Sequence, residues 1–145
     1  MFRYCVWYFV KDFHIQNTID KNAKRFGTSK FPAHITLQSD LETLEEAQEI
    51  YNKYKNNPIS IRFYNEPKIT RDIKIYDDKP IKFYAIEQGV LLNNDPNYHL
   101  SLAYSNQPFS NTQLSKSGLN DKRCNIVELR IAVCHDLNPS KWYIL

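Results

Sequence analysis

Two short segments of this chain share one pattern: a histidine, an apolar residue, a hydroxyl residue and a second apolar residue. They are His34-Ile35-Thr36-Leu37 and His99-Leu100-Ser101-Leu102. Each lies in a stretch that reads as a strand. Side chains alternate across a strand, so residues i and i+2 share a face. His34 and Thr36 then point one way, while Ile35 and Leu37 point into a core. His99 and Ser101 repeat this over Leu100 and Leu102. If the strands are neighbours, two imidazoles and two hydroxyls converge on one spot. The chain has four histidines. Two of them falling in this pattern by chance is on the order of one in a thousand at average residue usage.

The chemistry such a set permits is acid-base catalysis on a phosphate. One imidazole takes a proton from water and the other gives a proton to a leaving oxygen. The hydroxyls of Thr36 and Ser101 can hold the non-bridging oxygens, on which charge builds in the transition state. No metal or other cofactor is required. No Asp, Glu or Cys lies two residues from either histidine to complete a ligand set. A cyclic or strained phosphodiester suits this plan, because ring strain readies one P–O bond for cleavage. The chain carries no Gly-rich phosphate loop, no nucleophile elbow and no carboxylate pair at diagnostic spacing.

With these paired motifs the chain resembles the 2H phosphoesterase superfamily, and within it the eukaryotic-type cyclic phosphodiesterases. Three segments carry the likeness: Cys5-Val6-Trp7-Tyr8, Phe31-Pro32-Ala33-His34-Ile35-Thr36-Leu37 and His99-Leu100-Ser101-Leu102-Ala103-Tyr104. The resemblance implies an α+β, two-lobed fold, with two antiparallel sheets forming a central cleft, one motif on each wall and helices packed outside. It implies metal-independent opening of a 2′,3′-cyclic nucleotide or an ADP-ribose 1″,2″-cyclic phosphate, leaving the phosphate on the 2′ oxygen. His34 and His99 would be base and acid, in an order the residues leave open. Trp7 and Tyr104 would lie beside the ligand at the cleft mouth, where an aromatic face can stack on a base. Alternation lets only one of Trp7 and Tyr8 face the cleft. There are departures. Ala33 separates Pro32 from His34, and the stretch from Gly89 to Asn97 is too short for the helix that many members place before the second motif. Two other readings remain open: a viral-type 2H enzyme cutting 2′,5′-oligoadenylate or cyclic nucleotide signals, and a nucleotide- or RNA-end-binding module without turnover.

The chain has 145 residues, 42% of them hydrophobic and 24% charged, which suits a single domain over 1–145 with a proper core. Ten Tyr, eight Phe and two Trp are many for this length and serve both core packing and base stacking. A net charge of +3 favours a small anionic ligand but is too slight for a long nucleic-acid track. The partners expected are a small phosphodiester or nucleotide and RNA ends, with no membrane contact. No apolar run reaches spanning length and the N-terminal residues do not read as a signal peptide. A cytoplasmic monomer is the expectation. Cys5, Cys124 and Cys134 are read as buried free thiols, without metal-ligand spacing. Arg25 and Lys30 precede the first motif and could attract phosphate, although solvated surface charge is the commoner role. Glu128 is open between a cleft position and an exposed face. His14 and His135 read as structural.

The pattern predicts strands at 3–10, 33–38, 59–64, 69–76, 81–87, 98–104 and 125–134, with a short one at 142–145. It predicts a helix at about 15–26, stopped by Gly27. A second is capped by Ser39 or Asp40 and runs to about Lys55, with Leu41, Leu44, Ala47 or Gln48, and Tyr51 on one face. A short third helix falls around 111–117. Asp77-Asp78-Lys79-Pro80 and Asn93-Asn94-Asp95-Pro96 are turns or loops.

Overall fold

The computed structural model describes residues 4–76, 78–119, 127–136 and 138–145. Its strands are β1 (Tyr4–Val10), β2 (His34–Leu41), β3 (Ile61–Tyr76), β4 (Lys79–Leu92), β5 (Asp95–Ser105), β6 (Val127–Val133) and β7 (Tyr143–Ile144). The helices are α1 (Phe13–Phe26), α2 (Leu44–Tyr54) and α3 (Asn111–Lys116), with a 3-10 turn at Pro139–Lys141. The protein is therefore α+β, and its elements follow the order the pattern predicts.

The expected pair of sheets is a single sheet. All seven strands join in the order β3-β4-β5-β2-β1-β6-β7, and every neighbouring pair is antiparallel. The join between β2 and β5 is narrow: the only paired register there sets Ile35 opposite Leu100. The two motif strands thus form the seam between a β3-β4-β5 half and a β2-β1-β6-β7 half. Their apolar residues fix which face is covered. Val6, Tyr8, Val10, Ile35, Leu100 and Leu102 are buried on one face, against Ile15 and Ile19 of α1 and Ala47 of α2. The i+1 positions turn to the opposite face.

Local chemistry sets the boundaries. Asp12 caps α1, its side chain accepting hydrogen bonds from the backbone N–H of His14 at 2.9 Å and of Ile15 at 3.2 Å. Gly27 ends the helix with φ of 69°, a left-handed position that suits glycine. An Asp12→Ala variant is expected to lose about 1 kcal/mol of stability, the usual worth of a cap. Urea unfolding would read this as a lower midpoint with an unchanged slope.

The second helix starts later than expected. Ser39 and Asp40 remain in β2, and Thr43 is the cap, accepting a bond from the N–H of Glu46. Leu41 pairs with Tyr4 of β1 and is 8% exposed, so strand pairing outcompetes the helical phase assigned to it. The predicted strands at 59–64 and 69–76 are one strand, β3, with an irregularity between Tyr64 and Lys68. There Asn65 takes φ of 60°. The amide of buried Gln88 on β4 donates to the carbonyls of Tyr64 and Asn65, satisfying groups that the bulge leaves out of the ladder. β4 runs on to Leu92, where Asn93 and Asn94, at φ of 49° and 68°, form the two-residue turn of a hairpin. The predicted strand at 125–134 is seen as β6, and residues 125 and 126 lie outside the described residues. No helix among the described residues is long and apolar enough to cross a membrane.

Candidate active site

The seam sets the geometry of the two motifs. With Ile35 opposite Leu100 in antiparallel register, one step either way sets Thr36 opposite His99 and His34 opposite Ser101. Each histidine therefore faces the hydroxyl residue of the other motif. The two histidines are diagonal neighbours, for which the usual separation is about 7–8 Å. All four side chains lie on the face that the helices leave uncovered.

Curling of the sheet turns this face into a cleft. Thr70, Asp72 and Lys74 of β3 line it together with Phe83, Ala85 and Glu87 of β4, Thr36 and Ser39 of β2, and His99 and Tyr104 of β5. Pro139 and Trp142, from the far edge of the sheet, close the remaining side, and the cavity holds about 220 Å³. Residues 70, 72 and 74 alternate on β3 opposite Ala85, Phe83 and Ile81 of β4.

A bulge brings Tyr104 into this wall. On β5, Ser101 pairs with Glu87 but Ala103 pairs with Ile86, which leaves Leu102 as an extra residue. Leu102 and Ala103 both turn to the core, at 0% and 1% exposure. The alternation is then reset, so Tyr104 returns to the face of His99 and Ser101. Strict alternation from His99 would have put Tyr104 in the core.

His34 is held more tightly than His99. It is 5% exposed, and its ring stacks on Trp7 with centroids 3.7 Å apart and planes within 15°. Its Nδ1 lies 2.6 Å from the Pro32 carbonyl. A carbonyl can only accept, so Nδ1 carries the proton and the neutral ring keeps a lone pair on Nε2. Burial pushes its pKa down to about 4, against the Pro32 bond, with His99 and Lys74 adding to the depression. The loop before His34 is itself clamped. The Gln16 side chain of α1 donates to the Phe31 carbonyl at 2.9 Å and accepts from the Ala33 N–H at 2.7 Å.

His99 is the open member of the pair. Its side chain is 43% exposed, and its Nε2 lies 3.5 Å from Oε1 of Glu87. Ser101 is 2% exposed and is not on the cleft lining; it lies next to the Tyr104 phenol. Burial raises the Tyr104 pKa, so the phenol keeps its proton. The structure thus sets Thr36 and His99 on the cleft lining, and His34 and Ser101 buried behind it, off the lining, next to Trp142 and Tyr104.

Two aromatic expectations need correction. Trp7, expected at the cleft mouth, is 1% exposed. One face of its indole is taken by His34, and the Trp142 ring meets it at 6.2 Å. Trp7 therefore supports His34 from behind and offers no open face to a base. Tyr104 does line the cleft, but its ring is packed by Phe31 at 4.7 Å and by Trp142 at 5.4 Å. The half-buried aromatic on the opposite wall is Phe83, which no motif or spacing in the sequence singles out.

The flanking charges also differ from expectation. Arg25 donates to the Lys116 carbonyl at 3.3 Å and Lys30 is an exposed loop residue, and neither lines the cleft. The lysine that does is Lys74, two strands from the seam in the sheet order. Glu128 is 44% exposed at its side chain and pairs with Lys11 at 3.3 Å and Arg130 at 3.7 Å. Cys5 and Cys134 are buried free thiols, hydrogen-bonded to one another beneath Trp7; Cys124 lies outside the described residues. Among the described residues, no group of three or more His, Cys, Asp or Glu could hold a metal ion. No protein-family model, curated protein or solved structure matches this chain.

Proposed function

We propose that this protein is a metal-independent phosphodiesterase of the 2H type that opens a small cyclic phosphate, a 2′,3′-cyclic nucleotide being the substrate that fits best. The observation that carries the reading is Ile35 opposite Leu100 across the seam, a register that turns His34 towards Ser101 and Thr36 towards His99.

The roles follow from the surroundings of the two rings. His34, with Nδ1–H donated to Pro32 and Nε2 free, is the base that takes a proton from water. The water oxygen attacks phosphorus as the strained P–O bond breaks. His99 gives its proton to the departing sugar oxygen, with Glu87 at 3.5 Å as counter-charge to the imidazolium. The product is a phosphomonoester, with water's elements added across the broken bond. The Thr36 hydroxyl and the Lys74 ammonium hold the non-bridging oxygens. Ser101, buried next to the Tyr104 phenol, supports that residue in the wall of the cleft.

The decisive assay incubates the protein in EDTA with 2′,3′-cyclic mononucleotides, ADP-ribose cyclic phosphate, 2′,5′-oligoadenylate and cyclic dinucleotides, and identifies products by phosphorus NMR. Turnover of a cyclic monophosphate to a monoester, undiminished by the chelator, is expected. Turnover confined to 2′,5′-oligoadenylate or a cyclic dinucleotide would support the second reading of the sequence. Binding without turnover would make the site a recognition module, and activity restored by a divalent ion would move it to a metal-dependent class.

A further inference from the structure

A second cavity of about 570 Å³ adjoins the cleft. Phe83, Tyr104 and Pro139 line both spaces, so the two lie side by side with these residues between them. The rest of its wall comes from the loop after α1, with Gly27, Thr28 and Ser29, and from Ser105, Asn106 and Gln107 at the end of β5, with Asn138 opposite. None of these side chains is charged. The cleft, by contrast, carries Lys74, Asp72, Glu87 and His99. A charged phosphate therefore has cationic partners in the cleft, whereas the larger chamber offers it no charged side chain.

The chamber is furnished with carboxamides. The side-chain oxygen of Asn138 accepts from the Ser29 hydroxyl at 2.7 Å, the Ser140 hydroxyl at 2.8 Å and the Ser140 N–H at 3.0 Å. These three donors fix which way the amide faces, so its NH₂ is the end left for a ligand. The same contacts tie the loop after α1 to the C-terminal turn across 109 residues of sequence. Asn106 and Gln107, also on the lining, are exposed, and among the described residues their side-chain amides make no hydrogen bond. Carboxamides match the paired donors and acceptors on the edge of a base. The half-buried Phe83 ring stands where the chamber meets the cleft and supplies an apolar face for stacking.

We infer that this chamber is the base-recognition site of the substrate: an uncharged nucleobase enters between Phe83 and the Asn106, Gln107 and Asn138 amides while its cyclic phosphate lies at the histidines. The inference rests on the proposed phosphate-opening site and deepens it. It makes the substrate a nucleoside cyclic phosphate. A molecule such as ADP-ribose cyclic phosphate would bring two further anionic phosphates into a wall without a cation. Hydrogen-bonding groups that match one base leave others unpaired, so the chamber discriminates among bases where stacking alone would tolerate all four.

The test compares the four nucleoside 2′,3′-cyclic phosphates with ribose 2,3-cyclic phosphate, which lacks a base. In the wild type at least one nucleotide is expected to exceed the baseless ring by about tenfold or more in kcat/KM, and to exceed the worst nucleotide by a similar factor. In an Asn106→Ala/Gln107→Ala variant, both ratios are expected to fall by about tenfold. Side-chain amide NMR resonances of Asn106, Gln107 and Asn138 are followed with uncleaved nucleoside 2′-monophosphates, so the chamber is read without turnover. Shifted amides without cleavage of any substrate would sink the phosphodiesterase reading and leave the chamber assignment standing. Equal kcat/KM with and without a base, or ratios untouched by the double variant, would overturn the chamber assignment while leaving the phosphodiesterase intact. Amides that do not move, with no turnover, would overturn both.

Discussion

Alanine at His34 or at His99 is expected to lower kcat/KM for a cyclic phosphate by about 10²- to 10⁴-fold, the usual contribution of one acid or base. The two positions are expected to lose similar amounts because in the proposed reaction each ring handles one of the two protons that move. Thr36→Ala is expected to cost less and to raise KM as well as lower kcat, since the hydroxyl touches the phosphate before and during bond breaking. Glu87→Gln is the positioning control. It keeps the shape beside His99 Nε2 but removes the counter-charge, so its loss should fall on kcat and leave KM nearly unchanged. The variants need separate checks of folding, because removing the His34 ring also removes the partner of Trp7 at 3.7 Å. Near-ultraviolet circular dichroism, which reports that tryptophan, would show whether His34→Ala is folded. Retention of more than a third of wild-type kcat/KM by either folded histidine variant would exclude paired acid-base catalysis at this site.

The repeated motif made the centre of the fold legible, because period-two alternation fixes both the face of each side chain and the burial of its neighbours. Ile35, Leu100 and Leu102 are fully buried, as alternation from the histidines requires. Sequence alone could not supply the register between β2 and β5. Nothing local distinguishes Thr36 opposite His99 from a slip of two residues, which would keep every side chain on its own face. The missed site residues share this cause. Lys74, Phe83 and Glu87 come into place only once β3 and β4 are in register and the sheet has curled. Tyr104 was placed at the cleft, but the alternation used for the histidines pointed the other way, and only the bulge at Leu102 resolves the conflict. Trp7 shows the opposite failure. Alternation leaves Trp7 and Tyr8 as alternatives for the cleft face, and the pairing of Trp7 with Thr36 decides for Trp7. Its depth was set by His34 stacking and by Trp142 arriving from the end of the chain. The start of α2 was misread because Leu41 fits both a strand end and a helical stripe, and pairing with Tyr4 settles the choice.

The same burial that keeps His34 neutral should make the fold sensitive to acid. Its pKa stands at about 4 in the folded protein and at the ordinary 6.5 when exposed. Between these values the unfolded chain binds a proton that the native protein refuses. The unfolded state then holds more protons, so stability rises with pH across the window and is fully present above about pH 6.5. As pH falls from 6.5 towards 4 the contribution drains away, and below the folded pKa native His34 itself takes the proton. At 1.36 kcal/mol per pKa unit the full loss is about 3 kcal/mol as an order of magnitude, a large part of a small domain's margin. Carboxylates titrate in the same range, so the wild type alone cannot assign the effect. His34→Asn offers the comparison, since its amide N–H can still donate to the Pro32 carbonyl but has no proton to gain. Urea unfolding of both proteins at pH 7 and pH 4.5 is expected to show the wild type losing about 2 kcal/mol more than the variant over this interval. The acid limb of wild-type kcat/KM should fall at about the same folded pKa, because the protonated ring can no longer accept a proton from water. Parallel stability curves for the two proteins would show that His34 does not enter the fold as a neutral ring, and would remove it from the role of base.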